Sequence, residues 1–342
     1  MVAAMLCRGP LVVCLLFIGS ALAAESKIVL TDKMIYSAQR YTATLNPWGA
    51  EHLVSGKDYT QTISLNPDEF PNDVQINWSW KSPGRQVMSY PHVKYVGPSA
   101  SQVANFATLK SNYDLAITGD IQHFNVCIEL WLTSKVSNDF NTTTHEIMIV
   151  LHEPDSDFSG NQPYKLSDGG LSRASVFVHK DWGIPNWHQW TFVVIKNPVD
   201  KLSGSINLAD ILRALIWNGV LTGREYAAEI QLGAEVRTGV GALNINSLSY
   251  EWMTKPPMTM SASFTADSVG GNHIVGGLDT EVVTYAAPYS SFQVKQYQDE
   301  TLVVRKGNIS SLDVLEGIKS VRFSDGAFDP SRFRFTSDPQ HQ

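Results

Sequence analysis

The chain has 342 residues, a net charge of −7 and 43% hydrophobic residues, enough apolar material for one large domain and a smaller one. Mild acidity without a Lys/Arg run excludes a protein that grips nucleic acid through its phosphates. Beyond the first two dozen residues, no stretch has the apolar length of a membrane span.

Residues 1–24 read as an export signal. Arg8 supplies the positive charge, Leu11–Ile18 the apolar stretch and Ala21-Leu22-Ala23 the small-residue cleavage pattern. The mature protein is therefore expected to be secreted and extracellular, free of the membrane once the signal is removed. Cys7 and Cys14 leave with that signal, so Cys127 has no intrachain disulfide partner. Lying between Val126 and Ile128, it reads as an inert, packed thiol.

From 25 to 254 short β-like runs alternate with turn residues. The runs include Gln75–Trp80, His92–Val96, Ala174–His179, Trp190–Ile195 and Leu243–Trp252, and the turns include Pro83-Gly84, Asp168-Gly169-Gly170 and Asn197-Pro198. This pattern predicts an all-β protein, a β-sandwich or jelly roll. Residues 207–219 break it: Leu208, Ile211, Leu212, Leu215 and Ile216 form one apolar stripe at helical spacing. Asn207 is placed to cap that helix and Asn218-Gly219 to stop it, so one amphipathic helix is expected on the back of a sheet.

Three further runs each carry glutamate on an otherwise small, polar or aromatic face. In Asn125–Leu132, Val126, Ile128, Leu130 and Leu132 oppose Asn125, Cys127, Glu129 and Trp131. In Thr144–Leu151, His145, Ile147, Ile149 and Leu151 oppose Thr144, Glu146, Met148 and Val150. In Ala228–Arg237, Ala228, Ile230, Leu232, Ala234 and Val236 oppose Glu229, Gln231, Gly233, Glu235 and Arg237. Because side chains alternate along a strand, these runs predict a sheet with one buried face and a second face lining a cleft with carboxylates. Paired carboxyls across a sugar-sized cleft are the equipment of glycoside hydrolysis. Trp78 and Trp80 share a face with Ile76 and read as core. The histidines are scattered without metal-ligand spacing, so no metal and no cofactor is expected.

After Pro256-Pro257 the composition changes, and 258–336 reads as a small β-rich C-terminal module followed by a disordered tail at 337–342.

Several pieces, in order, resemble glycoside hydrolase family 12, the jelly-roll endoglucanases and xyloglucanases. Asn46-Pro47-Trp48-Gly49 is similar to that family's Asn-Leu-Trp-Gly element. Ile76-Asn77-Trp78-Ser79-Trp80 followed by Ser89-Tyr90-Pro91 resembles its INWSW and SYP pair. Glu146-Ile147-Met148-Ile149 and Ile230-Gln231-Leu232-Gly233-Ala234-Glu235 resemble two of its strands. The likeness covers about two thirds of the chain. It implies a retaining mechanism with Glu146 as nucleophile and Glu235 as general acid/base. Glu129 stands where the family has an aspartate that supports the nucleophile; a salt bridge to Arg237 is its other reading. Asn46, Trp48, Trp131 and Met148 are the expected substrate contacts, Met148 either flooring the cleft or packing in the core. The sequence departs from the family at Val150, usually tryptophan, at Ala234, usually threonine, and in the acidic loop 152–162; these changes are expected to alter subsite shape.

In the C-terminal module, Gly276-Gly277-Leu278-Asp279-Thr280 resembles a shortened copy of the turns in calcium-binding, type I-secreted repeat proteins. The expected protein is thus a monomeric, secreted endo-β-1,4-glucanase acting on β-glucan polysaccharide. Xyloglucan or mixed-linkage glucan is the alternative substrate, and a non-catalytic glycan-binding jelly roll is the alternative of a different class.

Overall fold

The computed structural model describes residues 27–81, 86–154, 174–184, 188–260, 263–266, 270–277, 282–332 and 334–337. The export signal, the turn clusters at 83–84 and 168–170, most of the 152–162 loop, Leu278–Thr280 and residues 338–342 lie outside them. In chain order the first strands are β1 (Ile28–Thr31), β2 (Ile35–Ala38), β3 (Tyr41–Thr44), β4 (Tyr59–Leu65), β5 (Val74–Trp80), β6 (His92–Gln102) and β7 (Phe106–Gly119). There follow β8 (Phe124–Thr133), β9 (Thr143–His152), β10 (Ser175–Ile184), β11 (His188–Lys196), β12 (Ser203–Asn207), helix α1 (Leu208–Trp217), β13 (Tyr226–Val236) and β14 (Gly239–Thr254).

These strands build a jelly-roll sandwich. The back sheet runs β1-β4-β5-β14-β7-β12 and the front sheet β10-β11-β9-β8-β13-β6-β3-β2. Period-two alternation puts Ile76, Trp78 and Trp80 of the back sheet against Ile128, Leu130, Ile147, Ile149, Ile230 and Leu232 of the front sheet in one buried core. Trp80 stacks on Tyr59, with ring centroids 4.1 Å apart. The two tryptophans therefore belong to the core, as their shared face with Ile76 requires.

One strand departs from simple alternation. A bulge between Ala227 and Gln231 gives β13 one residue more than its partner β8 over that stretch. Ala227, rather than the expected Ala228, packs into the core. From Glu229 onward the expected faces resume, and Glu229, Gln231 and Glu235 stand opposite Ile230, Leu232, Ala234 and Val236.

Helix α1 forms where the stripe predicts it. The Asn207 Oδ1 accepts from the Asp210 amide at 3.4 Å, and Gly219 leaves the helix at φ +70°. The stripe, however, understates its burial: Ala209, Arg213, Ala214 and Trp217 are buried along with Leu208, Ile211, Leu212, Leu215 and Ile216. The reason lies after Thr254.

The remaining strands are β15 (Met258–Met260), β16 (Ser263–Thr265), β17 (His273–Gly276), β18 (Val282–Thr284), β19 (Phe292–Tyr297), β20 (Glu300–Arg305), β21 (Asn308–Glu316), β22 (Ser320–Phe323), β23 (Gly326–Asp329) and β24 (Arg334–Ser337). The chain alternates between two sheets, β15-β17-β21-β20-β19 and β16-β18-β22-β23-β24. The pairs β15/β17, β17/β21, β16/β18 and β18/β22 are parallel, as expected when each return lays a strand beside the previous one. Ile274, Val283, Phe292, Val321 and Phe328 close a core of their own between these sheets. Leu302, Val304, Leu312 and Val314 face the other way and join the sandwich core through α1. The helix is thus enclosed between the back sheet and the C-terminal strands, which is why its polar side is buried too.

All nine tryptophans lie at or before Trp252, so none is in the C-terminal strands and tryptophan fluorescence reads the rest of the chain. Leu302→Ala should cost about 2–5 kcal/mol of stability and lower the melting temperature read by that fluorescence. A tryptophan-detected transition that does not move would mean the C-terminal strands unfold on their own.

Candidate active site

The three glutamates come from neighbouring strands of the front sheet, β9, β8 and β13. Their aliphatic neighbours fill the core, so Glu146, Glu129 and Glu235 take the other face together. Register sets their spacing. Across β8 and β9, Trp131 faces Glu146 and Met148 faces Glu129. Across β8 and β13, Glu129 faces Gln231 and Asn125 faces Glu235. The carboxyl groups therefore follow a diagonal over the sheet, with Glu129 between Glu146 and Glu235.

Each carboxylate has a donor on the same face. The Trp190 indole donates to Glu146 Oε2 at 2.8 Å, and the Trp131 indole to Glu129 Oε2 at 3.3 Å. Asn125 Nδ2 donates to Glu235 Oε2 at 2.6 Å, while the Glu235 amide approaches Asn125 Oδ1 at 3.4 Å. The Cys127 thiol lies 3.5 Å from Glu129 Oε1 and 3.7 Å from the Tyr90 hydroxyl.

Burial dominates the electrostatics. Glu129 is 3% exposed and Glu146 7%, whereas Glu235 is partly open. Desolvation, then the charges of Glu146 and Glu235, push Glu129 well above the usual carboxylate range. Desolvation also raises Glu146, to about 8; Trp190 opposes that rise and the Glu235 charge adds to it. The implied picture of Glu146 as a freely ionised carboxylate is thus modified by its surroundings: Glu146 and Glu129 both hold protons more tightly than ordinary carboxyls, and each depends on the charge of the other members of the row. Burial likewise pushes the Cys127 thiol well up, consistent with an inert thiol, and lowers His92 to about 4, so that its ring is neutral.

Around the carboxyls the face is partly aromatic. Trp131, Phe140 and Trp190 cluster with centroid separations of 5.2–5.8 Å, and His188 adjoins Trp190 at 5.9 Å. Tyr90, Cys127, Met148, Val150, Phe177, Phe192 and Val194 form a separate apolar cluster on the same face. Met148, only 1% exposed, belongs to that packing. Val150 lies beside it. Ala234 faces the sandwich core, so its substitution for threonine changes the core and not a subsite as expected.

Asn46 and Trp48 follow β3, three strands from β8. Their loop is tied to the Ser89-Tyr90 segment: the Tyr90 amide donates to Asn46 O and the Gly49 amide to Met88 O, each at 3.0 Å. The Ser89 hydroxyl lies 2.9 Å from both Leu45 O and Gln61 Oε1. Two pieces that carry the family resemblance thus touch one another, and Tyr90 leads from them to Cys127. Trp48 projects outward, 56% exposed.

Two groups at the carboxyls escaped the sequence reading as site residues. Asn125 shares the Glu129 face, a visible signal, yet its link to Glu235 depends on the β8/β13 register. Trp190 lies 44 residues after Glu146 and meets it because β11 pairs parallel to β9. Among the described residues, no group of three or more His, Cys, Asp or Glu is arranged to hold a metal ion.

The two-sheet sandwich aligns with solved family 12 glycoside hydrolases. The native family 12 xyloglucanase from Bacillus licheniformis aligns with a TM-score of 0.57 at 18% identity, over 66% of this chain and 100% of that chain. Endoglucanase 3 of Trichoderma harzianum, also from family 12, aligns with a TM-score of 0.56 at 17% identity, over 68% of this chain and all of the other. At these identities the likeness is one of fold. In sequence, xyloglucan-specific endo-β-1,4-glucanase A of Emericella nidulans is 26% identical over 236 residues, 66% of this chain and 93% of that protein. No protein-family model matches the chain.

The raised Glu146 makes stability fall with pH. Its folded state holds a proton more tightly than an ordinary carboxyl, so its contribution is full below 4.5 and is lost as pH rises through about 8. Melting followed across that window should show the decline, and Glu146→Gln should flatten much of it. An unchanged slope in the variant would mean that Glu146 is not the group responsible.

Proposed function

We propose that the protein is a secreted member of glycoside hydrolase family 12, a retaining endo-β-1,4-glucanase that cleaves internal bonds of β-glucan polysaccharide. The observation that carries this reading is the diagonal of Glu146, Glu129 and Glu235 on one sheet face, flanked by indoles. Residues 25–254 form the catalytic unit and 258–336 a second, smaller unit. No helix of the described residues is long and apolar enough to cross a membrane, and the signal-like N-terminus supports export.

In this reading the ionised form of Glu146 attacks the anomeric carbon while Glu235, the most accessible of the three, protonates the leaving oxygen. A covalent glycosyl-enzyme results, and Glu235 then accepts a proton from the water that releases it. Glu129, desolvated between two other carboxyls, keeps its proton and leaves the negative charge to Glu146, where the Trp190 indole stabilises it. Trp131 and the exposed Trp48 offer flat apolar surfaces to the C–H faces of pyranose rings, and Asn46 adds an amide beside Trp48.

The glucan type has two readings. Unsubstituted, cellulose-like chains are the first; xyloglucan is the second, favoured by the Emericella nidulans and Bacillus licheniformis relatives. Val150 supports either, since a buried aliphatic side chain replaces a bulky indole there. The parallel return of the C-terminal strands favours the resemblance of that unit to a shortened secretion-type repeat.

Glu146→Gln and Glu235→Gln should each lower reducing-end release from soluble β-glucans by about 10³-fold or more while leaving glucan binding within a few-fold. Full turnover in both variants would exclude the assignment. NMR of the first products should show the substrate's anomeric configuration preserved; an inverted product would replace retention with direct attack by water. Rates on a panel including xyloglucan, mixed-linkage glucan and carboxymethyl cellulose decide the substrate.

A further inference from the structure

The segment between α1 and β13, residues 218–225, is where the C-terminal strands meet the two strands that carry Glu146 and Glu235. It curls around one carboxylate: the Thr222 amide and hydroxyl donate to Glu225 Oε1 at 3.0 and 2.9 Å, and the Gly223 amide to Oε2 at 2.9 Å. Gly219 and Gly223 sit at φ +70° and +95°, where a side chain would be strained. A Cβ on Gly219 would also come within 2.8 Å of the Tyr297 ring.

From outside, β19 to β21 hold this loop at several points. The Tyr297 hydroxyl donates to Gly219 O at 2.7 Å. Arg224 pairs with Asp299, with Glu300 at 3.0 Å and with Glu316 at 3.3 Å. Next to the loop, Lys295 Nζ lies 4.0 Å from the Trp217 ring centre. Inward, the loop holds the sandwich. Its Gly223 and Glu225 carbonyls accept from the Ala104 and Val103 amides at 3.0 and 2.8 Å. Its Val220 carbonyl lies 3.0 Å from His145 Nε2. His145 immediately precedes Glu146, on the core side of the same strand. Burial lowers its ionisation, so the ring is neutral and its Nε2–H is the donor to Val220 O.

We propose that the C-terminal strands act as an internal clamp on the candidate active site. They fix the 218–225 loop; the loop, through Val220 and His145, sets the height and tilt of β9 at Glu146, and through Arg224 and Glu225 it sets the entry of β13. In this scheme Tyr297, Arg224 and His145 are positioning residues, which touch neither substrate nor the carboxyl row. The clamp rests on the reading of Glu146 as a catalytic group, but its mechanical part stands without it.

The test uses the full-length chain, with Tyr297→Phe to remove one hydroxyl, Arg224→Met to remove the ion pairs and Arg224→Lys as the conservative rescue. Amide hydrogen exchange should rise about tenfold in Thr143–Met148 and Tyr226–Gln231 for the first two variants, and Arg224→Lys should restore much of the protection. On the soluble glucan that the wild type cleaves best, kcat should fall about tenfold with KM held within about twofold, the mark of a displaced reacting group rather than lost binding. Exchange that rises only within Phe292–Glu316, with the sandwich strands unchanged, would overturn the clamp. Altered exchange in both sandwich segments with unaltered kcat would also overturn the proposed effect on the active site. A wild type inactive on every glucan would instead refute the hydrolase reading, and the exchange data would still decide the mechanical coupling.

Discussion

Two buried carboxyl groups and a third, partly open one on the same sheet face repel one another and lose hydration, and the front of this molecule is organised around offsetting that cost. The donors do not come from one neighbourhood in the chain. Trp131 and Asn125 come from β8 and Trp190 from β11, each opposite or beside the carboxyl it serves. Without them the row would be a destabilising patch; with them it can exchange protons in the range where acid–base chemistry operates. The aliphatic sides of the same strands hold the arrangement in place, since a register slip of one residue would drive the glutamates into the sandwich core.

The opposite side of the molecule is organised by α1. A surface helix normally leaves its polar flank to water. Here Arg213 is buried, pairing with Asp210 at 2.8 Å and donating to Phe106 O at 2.6 Å. The Ser310 hydroxyl of β21 also reaches Asp210, at 2.8 Å. The polar flank has become an interface with charged groups satisfied inside it, which is the condition under which such groups tolerate burial. The C-terminal strands are consequently packed against the sandwich through α1.

Much of this was legible from local pattern. The faces of β8 and β9 follow from strict alternation, and the helix from its stripe, its Asn207 cap and its Gly219 stop. The order of strands in the sheet was not readable, because no local signal states that β11 lies beside β9 and parallel to it. Trp190 therefore remained an ordinary strand residue until the pairing placed it against Glu146. The bulge at Ala227 was hidden for a related reason: it answers to the partner strands β6 and β8. Double burial of α1 was invisible because the residues covering it lie about a hundred positions downstream. Parity alone already put Ala234 on the aliphatic face with Leu232 and Val236, and its burial there is why the expected effect on subsite shape does not follow.

The dependence of α1 on Leu302, Val304, Leu312 and Val314 carries a consequence for biosynthesis. Until those residues leave the ribosome, the outer flank of the helix has nothing to cover it, and the sandwich lacks its final wall. Closure is then a late event, triggered when the last quarter of the polypeptide arrives, and the nascent intermediate is the species most exposed to chaperones, proteases and self-association.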